Sequence, residues 1–167
     1  MGCDILGWVE IRWNGGWHGA IWITTLVGRD YNAFECLFGV RGKFTFRPIA
    51  SRRGFPPDMS DEAKWAATGL PFDDAFGFTS AEVQAGLPLG HHSPSWITFA
   101  EIKAIDLTER ALESPVPAYL QKQGWLVQLP TRGDVLGPDW QRLFKLMAAL
   151  AETRGDEDVR MVVWFAD

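Results

Sequence analysis

His91 and His92 stand side by side, followed closely by Ser93, Ser95 and Thr98. Imidazole titrates near neutrality, so such a pair can move protons or ligate a metal. A histidine pair in a loop ahead of a helix equally caps a turn or bonds a carbonyl. His18 is the only other histidine, too few for a His-rich metal site, and the spacing of Asp4 gives no support to a mixed His/Asp one. Arg29-Asp30 follows a predicted strand. Its guanidinium can bind a carboxylate or phosphate at two points, with Asp30 orienting it. The same pair also fits a structural ion pair with Asp30 as a helix cap. Arg41, Arg52 and Arg53 are interleaved with Phe44, Phe46 and Phe55. Arginine on aromatic faces suits a nucleotide or another planar anion, and equally a solvated rim stacked on the core.

Other chemistries are excluded by motif. There is no nucleophile elbow, phosphate loop, dinucleotide fingerprint or paired zinc motif. Cys3 and Cys36 lie far apart. They make neither a disulfide framework nor a zinc site, and neither has a base beside it in sequence to activate a thiol. Two reduced thiols point to a cytoplasmic protein. The opening Met1-Gly2-Cys3-Asp4 lacks the basic and apolar regions of a signal peptide, and Leu6 stands where a myristoylation signal wants Ser or Thr. No apolar run is long enough for a membrane helix.

The 167 residues suit one domain, 1–167, with a core that needs no staples. The formal charge of −5, without a lysine-rich block, disfavours duplex nucleic acid as a partner. Nine tryptophans beside eleven phenylalanines and two tyrosines exceed what one small core needs. Some should therefore line a pocket or an interface, with simple core use as the alternative.

The elements that position these residues follow from periodicity. Residues 5–13 alternate as a strand, with Ile5, Val9 and Ile11 on one face and Leu6, Trp8 and Glu10 on the other. Asn14-Gly15-Gly16 is a turn signal, and 17–26 reads as the returning strand. Asp30 caps a helix over 31–38 that Gly39 stops. Residues 43–49 read as extended. Ser60 caps a helix over 61–68, but 50–90 is otherwise rich in Pro and Gly and irregular. Thr98 and Glu101 form a capping box for a helix to about residue 105. After an irregular stretch over 114–137, Pro138 opens a helix to Thr153 with Trp140, Leu143, Phe144, Met147 and Leu150 in one stripe. Val159–Phe165, apolar on both faces except for Arg160, reads as a central covered strand. The predicted fold is α+β. An antiparallel sheet is built from the N-terminal hairpin and the C-terminal strand, with helices packed on one face and long irregular loops.

Several segments occur together in a recognisable set: Met1-Gly2-Cys3-Asp4-Ile5, Gly28-Arg29-Asp30-Tyr31, Leu37-Phe38-Gly39-Val40-Arg41, Pro48-Ile49-Ala50, Arg53-Gly54-Phe55-Pro56, His92 to Thr98, and the closing Val162-Val163-Trp164-Phe165. On these the whole chain resembles a family of small proteins from tailed phages and actinobacteria that begin Met-Gly-Cys-Asp-Ile-His. The resemblance implies no particular activity. It departs at Leu6, where the family has His, and at Ala166-Asp167, where the family has Asp-Asn. Asp4 and position 6 share a strand face, so an Asp-x-His pair there is lost, and with it the best ligand for a metal-dependent hydrolase.

The leading expectation is a domain that binds or processes a small anionic molecule such as a nucleotide. Its candidate ligand-binding residues are Asp4, Trp8, Arg29, Asp30, Arg41, Arg53, His92, Ser93 and Trp96, converging on one pocket. No catalytic residue is assigned, and no metal or cofactor is expected. The alternative is a phage-type interaction or inhibitor module acting on a host protein through an exposed aromatic patch.

Overall fold

A computed structural model of the chain describes every residue except Met1, Phe76, Ser114, Pro115 and residues 125–127. Trp125 and parts of the predicted irregular stretch over 114–137 thus lie outside the described residues. Four antiparallel strands, β1 (Asp4–Trp13), β2 (Gly16–Trp22), β3 (His91–Thr98) and β4 (Val159–Ala166), form a sheet in the order β2-β1-β4-β3. Helices α1 (Tyr31–Phe38), α2 (Asp61–Thr68), α3 (Phe72–Ala75), α4 (Ser80–Ala85), α5 (Phe99–Lys103), α6 (Ala118–Gln121), α7 (Arg132–Val135) and α8 (Pro138–Arg154) complete the described chain. The predicted α+β class and the union of the N-terminal hairpin with the C-terminal strand hold.

Local chemistry explains most boundaries. Asn14 and Gly15 take φ of 48° and 80°, the left-handed pair that a tight hairpin turn requires. Asp30 accepts from the Ala33 amide and Gly39 closes α1 at φ 70°. Ser60 accepts from the Ala63 amide at the start of α2. The returning strand stops at Trp22, short of the expected residue 26, because Ile23–Thr25 turns into a 3-10 helix. The Thr24 hydroxyl there donates to the Ile5 carbonyl at 3.0 Å, taking an acceptor that a longer ladder would use. Within 43–49 the extended expectation reduces to one bridge, Thr45 with Glu113. The irregular regions hold four short helices that went unread, α3, α4, α6 and α7. Two of them, α4 and α7, carry capping boxes, Thr79 with Glu82 and Thr131 with Asp134.

Alternation along β4 divides the interior in two. Val159, Met161, Val163 and Phe165 meet Ile5, Val9 and Ile97 of their neighbours, Phe34 and Phe38 of α1, and Trp140, Leu143 and Met147 of α8. Edge-on aromatic contacts run from Phe165 to Phe34 at 5.2 Å and to Phe38 at 5.9 Å. Val162 and Trp164 face the other way. There α2 and α4 supply Ala63, Ala67 and Val83, and the preceding loop supplies Phe55 and Met59. Helices therefore cover this second face as well as the expected one. Alanines at 63 and 67 let α2 come close to the Trp164 ring.

Arg160 is the polar exception in β4. It pairs across the strands with Glu10, Nε donating to Oε2 at 2.7 Å, and both side chains are almost fully buried. Its other nitrogens donate to the Asp58 carboxylate at 2.8 Å and to the Asp58 carbonyl at 3.1 Å. Its plane lies 3.8 Å from the centroid of Trp17. The second Glu10 oxygen accepts from the Ser60 amide at 2.8 Å. A second buried arginine, Arg132, donates to Glu109, to the carbonyls of Cys36 and Arg47, and stacks over Phe46. Among the described residues no helix is long and apolar enough to cross a membrane.

Removing one partner of a buried ion pair strands the other. Arg160→Leu should therefore lose about 3–5 kcal/mol in urea unfolding, and adding Glu10→Leu to it should recover a large part. The Arg132 hydrogen bond holds the Glu109 carboxyl below its ordinary 4.5. A depressed carboxyl contributes stability that is present above that value and is lost as pH falls through the folded value. Glu109→Gln should accordingly show a lower melting temperature at neutral pH and a flatter decline below pH 4.5.

Candidate functional site

His91 and His92, expected in a loop, are the first residues of β3. The ladder to β4 pairs His92 with Phe165, skips, and resumes at Ser95 with Val163. Pro94 lacks an N–H, and Ser93 sits at φ 52°. This bulge hid the strand, because it breaks the alternation that would reveal it. The bulge also anchors the loop that carries Arg53. Gly54 donates its amide to the Pro94 carbonyl at 3.0 Å, and Arg53 donates its amide to Ser95 Oγ at 3.3 Å. The Ser95 hydroxyl in turn donates to the Ala50 carbonyl.

Beside the bulge, at one end of the sheet, Cys3, His92 and Asp167 bring a thiol, an imidazole nitrogen and a carboxylate oxygen within 4.8 Å of one another. His92 Nε2 lies 3.5 Å from Asp167 Oδ1 and is a buried nitrogen without a hydrogen-bond partner. Its Nδ1 is 2.9 Å from Ser93 Oγ, and its ring stacks on Phe165 at 6.1 Å. Arg41 donates to Asp167 Oδ2 at 3.0 Å. The Cys3 amide donates to the Tyr31 hydroxyl at 3.1 Å. Burial, reinforced by a hydrogen bond to Asp167 and by its charge, pushes the Cys3 thiol up to about 11. Desolvation acts to raise the Asp167 carboxyl, but the Cys3 hydrogen bond and Arg41 outweigh it and hold the group low. Alongside, Arg29 clamps Asp4 at two points, Nε to Oδ1 at 2.5 Å and Nη2 to Oδ2 at 2.9 Å. That hydrogen bonding lowers the Asp4 carboxyl.

Arg53 lies elsewhere. Its guanidinium grips Glu101 at 3.0 and 2.7 Å, reaches the carbonyls of Trp96 and Ile49, and lies 5.2 Å from the Trp96 ring centroid. Burial would raise the Glu101 carboxyl, but Arg53 and the Thr98 cap keep it below its ordinary value. In front of this loop is an open cleft of 550 Å³ lined by Arg52, Arg53, Phe55, Thr79, Ser80 and Gln84 among others. Ser80 Oγ is buried with no hydrogen-bond partner. The Arg52 guanidinium makes no hydrogen bond or ion pair among the described residues. Trp8 belongs to a third place, a recess of 400 Å³ walled by Trp8, Trp22, Trp65 and Ala66.

The nine residues singled out from sequence are thus distributed rather than gathered on one concavity. Asp4, Arg29, Arg41, His92 and Ser93 lie around the sheet end. Arg53 and Trp96 form one unit beside the cleft, and Trp8 lines the aromatic recess. Asp30 is engaged as the α1 cap. Sequence reasoning passed over Cys3 and Asp167, which only strand pairing joins to His92, and over Ser80, signalled by the Thr79-Glu82 capping box. It also missed the second role of Glu101, which serves its own helix cap and Arg53 together. No protein-family model, curated protein or solved structure matches the chain.

Both cysteines are buried and unbridged, and the Cys3 thiol is neutral at pH 7. Iodoacetamide should label the folded protein at least about tenfold more slowly than the urea-unfolded chain. Fast labelling of Cys3 at pH 7 in the folded state would contradict this environment.

Proposed function

We propose that the protein binds a small anionic ligand with a planar ring, a nucleotide or a molecule of like chemistry, in the cleft before the Arg52-Arg53-Gly54 loop. The observation that carries this reading is the pairing of an unengaged guanidinium with an unsatisfied buried hydroxyl on one recess, Arg52 and Ser80. Buried polar atoms are ordinarily satisfied, and a ligand oxygen accepting from Ser80 would complete it. The cleft volume of 550 Å³ falls within the range of about 300–1,000 Å³ usual for ligand pockets.

The division of labour between the two arginines supports the reading. Arg53 is neutralised by Glu101 and pinned by two carbonyls, so it fixes the loop. Arg52, at φ 47° on the loop's outer side, keeps its charge available for a phosphate or carboxylate. Phe55 is anchored edge-on against Trp164 at 5.8 Å and offers a rigid apolar wall. The large exposed apolar side chains, such as Trp13, Trp65, Leu89 and Tyr119, are spread over β1, α2, a loop and α6, which favours ligand binding over a single docking patch for a host protein.

Isothermal titration calorimetry with AMP, ADP, ATP and pyrophosphate tests the proposal. At least one nucleotide should bind with one-to-one stoichiometry. Arg52→Ala should weaken it about tenfold to a hundredfold, the worth of one charge-assisted contact, while Arg12→Ala leaves it unchanged. Absence of binding across the panel, or equal binding by Arg52→Ala, would reject it.

A further inference from the structure

We propose that Cys3, His92 and Asp167 form a divalent transition-metal site, best suited to zinc, at the end of the sheet beside the β3 bulge. The expectation from sequence was that no metal is bound. The donor set argues otherwise. A thiolate, an imidazole and a carboxylate are the three ligand types zinc takes, and three protein ligands with one open position is the arrangement of reactive zinc centres.

The geometry is close to ready. Metal–ligand lengths near 2.0–2.3 Å put tetrahedral donors about 3.3–3.6 Å apart. His92 Nε2 and Asp167 Oδ1 are separated by 3.5 Å. The thiol completes the group with every pair inside 4.8 Å, a contraction that side-chain rotation can supply. The unpartnered state of His92 Nε2 is the second and independent sign. A buried nitrogen facing a carboxylate oxygen beyond hydrogen-bonding distance is the juxtaposition a cation between them would relieve.

Each ligand is also held from behind, as metal ligands are. Ser93 Oγ meets His92 Nδ1 at 2.9 Å, which directs Nε2 toward the other two groups. Phe165 fixes the ring plane by stacking. Arg41 takes the outer oxygen of Asp167 at 3.0 Å, leaving Oδ1 for the metal. The Tyr31 hydroxyl holds the Cys3 backbone. Cys3 is buried, whereas His92 and Asp167 keep 34% and 29% of their side chains exposed. Metal can therefore enter from their side, and the open position faces solvent near Arg41, a setting for water or a small anion.

Cobalt(II) titration of EDTA-dialysed protein, followed by absorbance, tests the site independently of any nucleotide. One equivalent should produce a thiolate-to-cobalt charge-transfer band with intense visible bands of four-coordinate cobalt, and zinc should abolish both. His92→Gln and Asp167→Asn, at partly exposed positions that leave the core intact, should each lower zinc affinity at least about tenfold against a chromophoric chelator. Ser93→Ala should cost about tenfold by loosening the ring. Cys3→Ser should remove the charge-transfer band, and circular dichroism checks that it is folded. No band at one equivalent, or a band that survives in folded Cys3→Ser or in His92→Gln, would overturn the proposal. Survival of the band in folded Cys3→Ser would instead place the metal on Cys36. Nucleotide binding that persists in the metal-free protein leaves the cleft reading intact whichever way the cobalt experiment falls.

Discussion

A guanidinium inside a sheet interior must be fully satisfied or it unfolds the protein. Arg160 meets that condition by drawing four segments together. Glu10 brings β1, the Asp58 side chain and carbonyl bring the loop after residue 50, and Trp17 brings β2 as a stacked face. Asp58 also accepts from Trp17 Nε1 at 3.0 Å, and Glu10 reaches on to the first residue before α2. One charged side chain thereby fixes how the irregular 50–60 segment lies on the sheet. Apolar packing alone would leave that segment free to slide, because hydrophobic contacts have little directional preference, whereas a planar fork with five donors has few acceptable arrangements.

Strand β4 carries this order to both candidate sites. At one end Arg160 and the Asp58 loop set the approach of the chain to Arg52 and Arg53. Toward the other end, Trp164 on one face and Phe165 on the other receive the two cores. Next to Asp167, Phe165 supports the His92 ring. The cleft and the thiol–imidazole–carboxylate cluster are separate constructions that share this strand as their reference. The bulge in β3 joins them mechanically, since Ser93 serves the cluster while Pro94 and Ser95 hold the Arg53 loop.

What could be read from the residues was whatever depends on neighbours in sequence. Asp30, Ser60, Thr98 and Gly39 act where their types place them, because a cap needs only the next three or four backbone groups. The β4 pattern announced a strand buried on both faces. His91 and His92 were misplaced because Pro94 and a left-handed Ser93 imitate a loop. Cys3 and Asp167 were silent because their meeting depends on a register between strands remote in sequence. Arg132 was silent for the same reason, its acceptors lying on Cys36 and Arg47. Glu10 was visible as a polar interruption, and its partner Arg160 as another; only the antiparallel register makes them one feature.

The interruption in β3 also decides how the molecule can meet others. An outer strand normally offers a row of free amides and carbonyls on which a foreign strand can grow. Here that row is broken by a proline, twisted by the bulge, and partly spent on the Gly54 amide. On the other flank, β2 ends after seven residues and gives the Gly19 amide to Glu62 of α2. Both margins of the sheet are thus interrupted, and each offers copies of the chain a shorter template than an unbroken edge strand would.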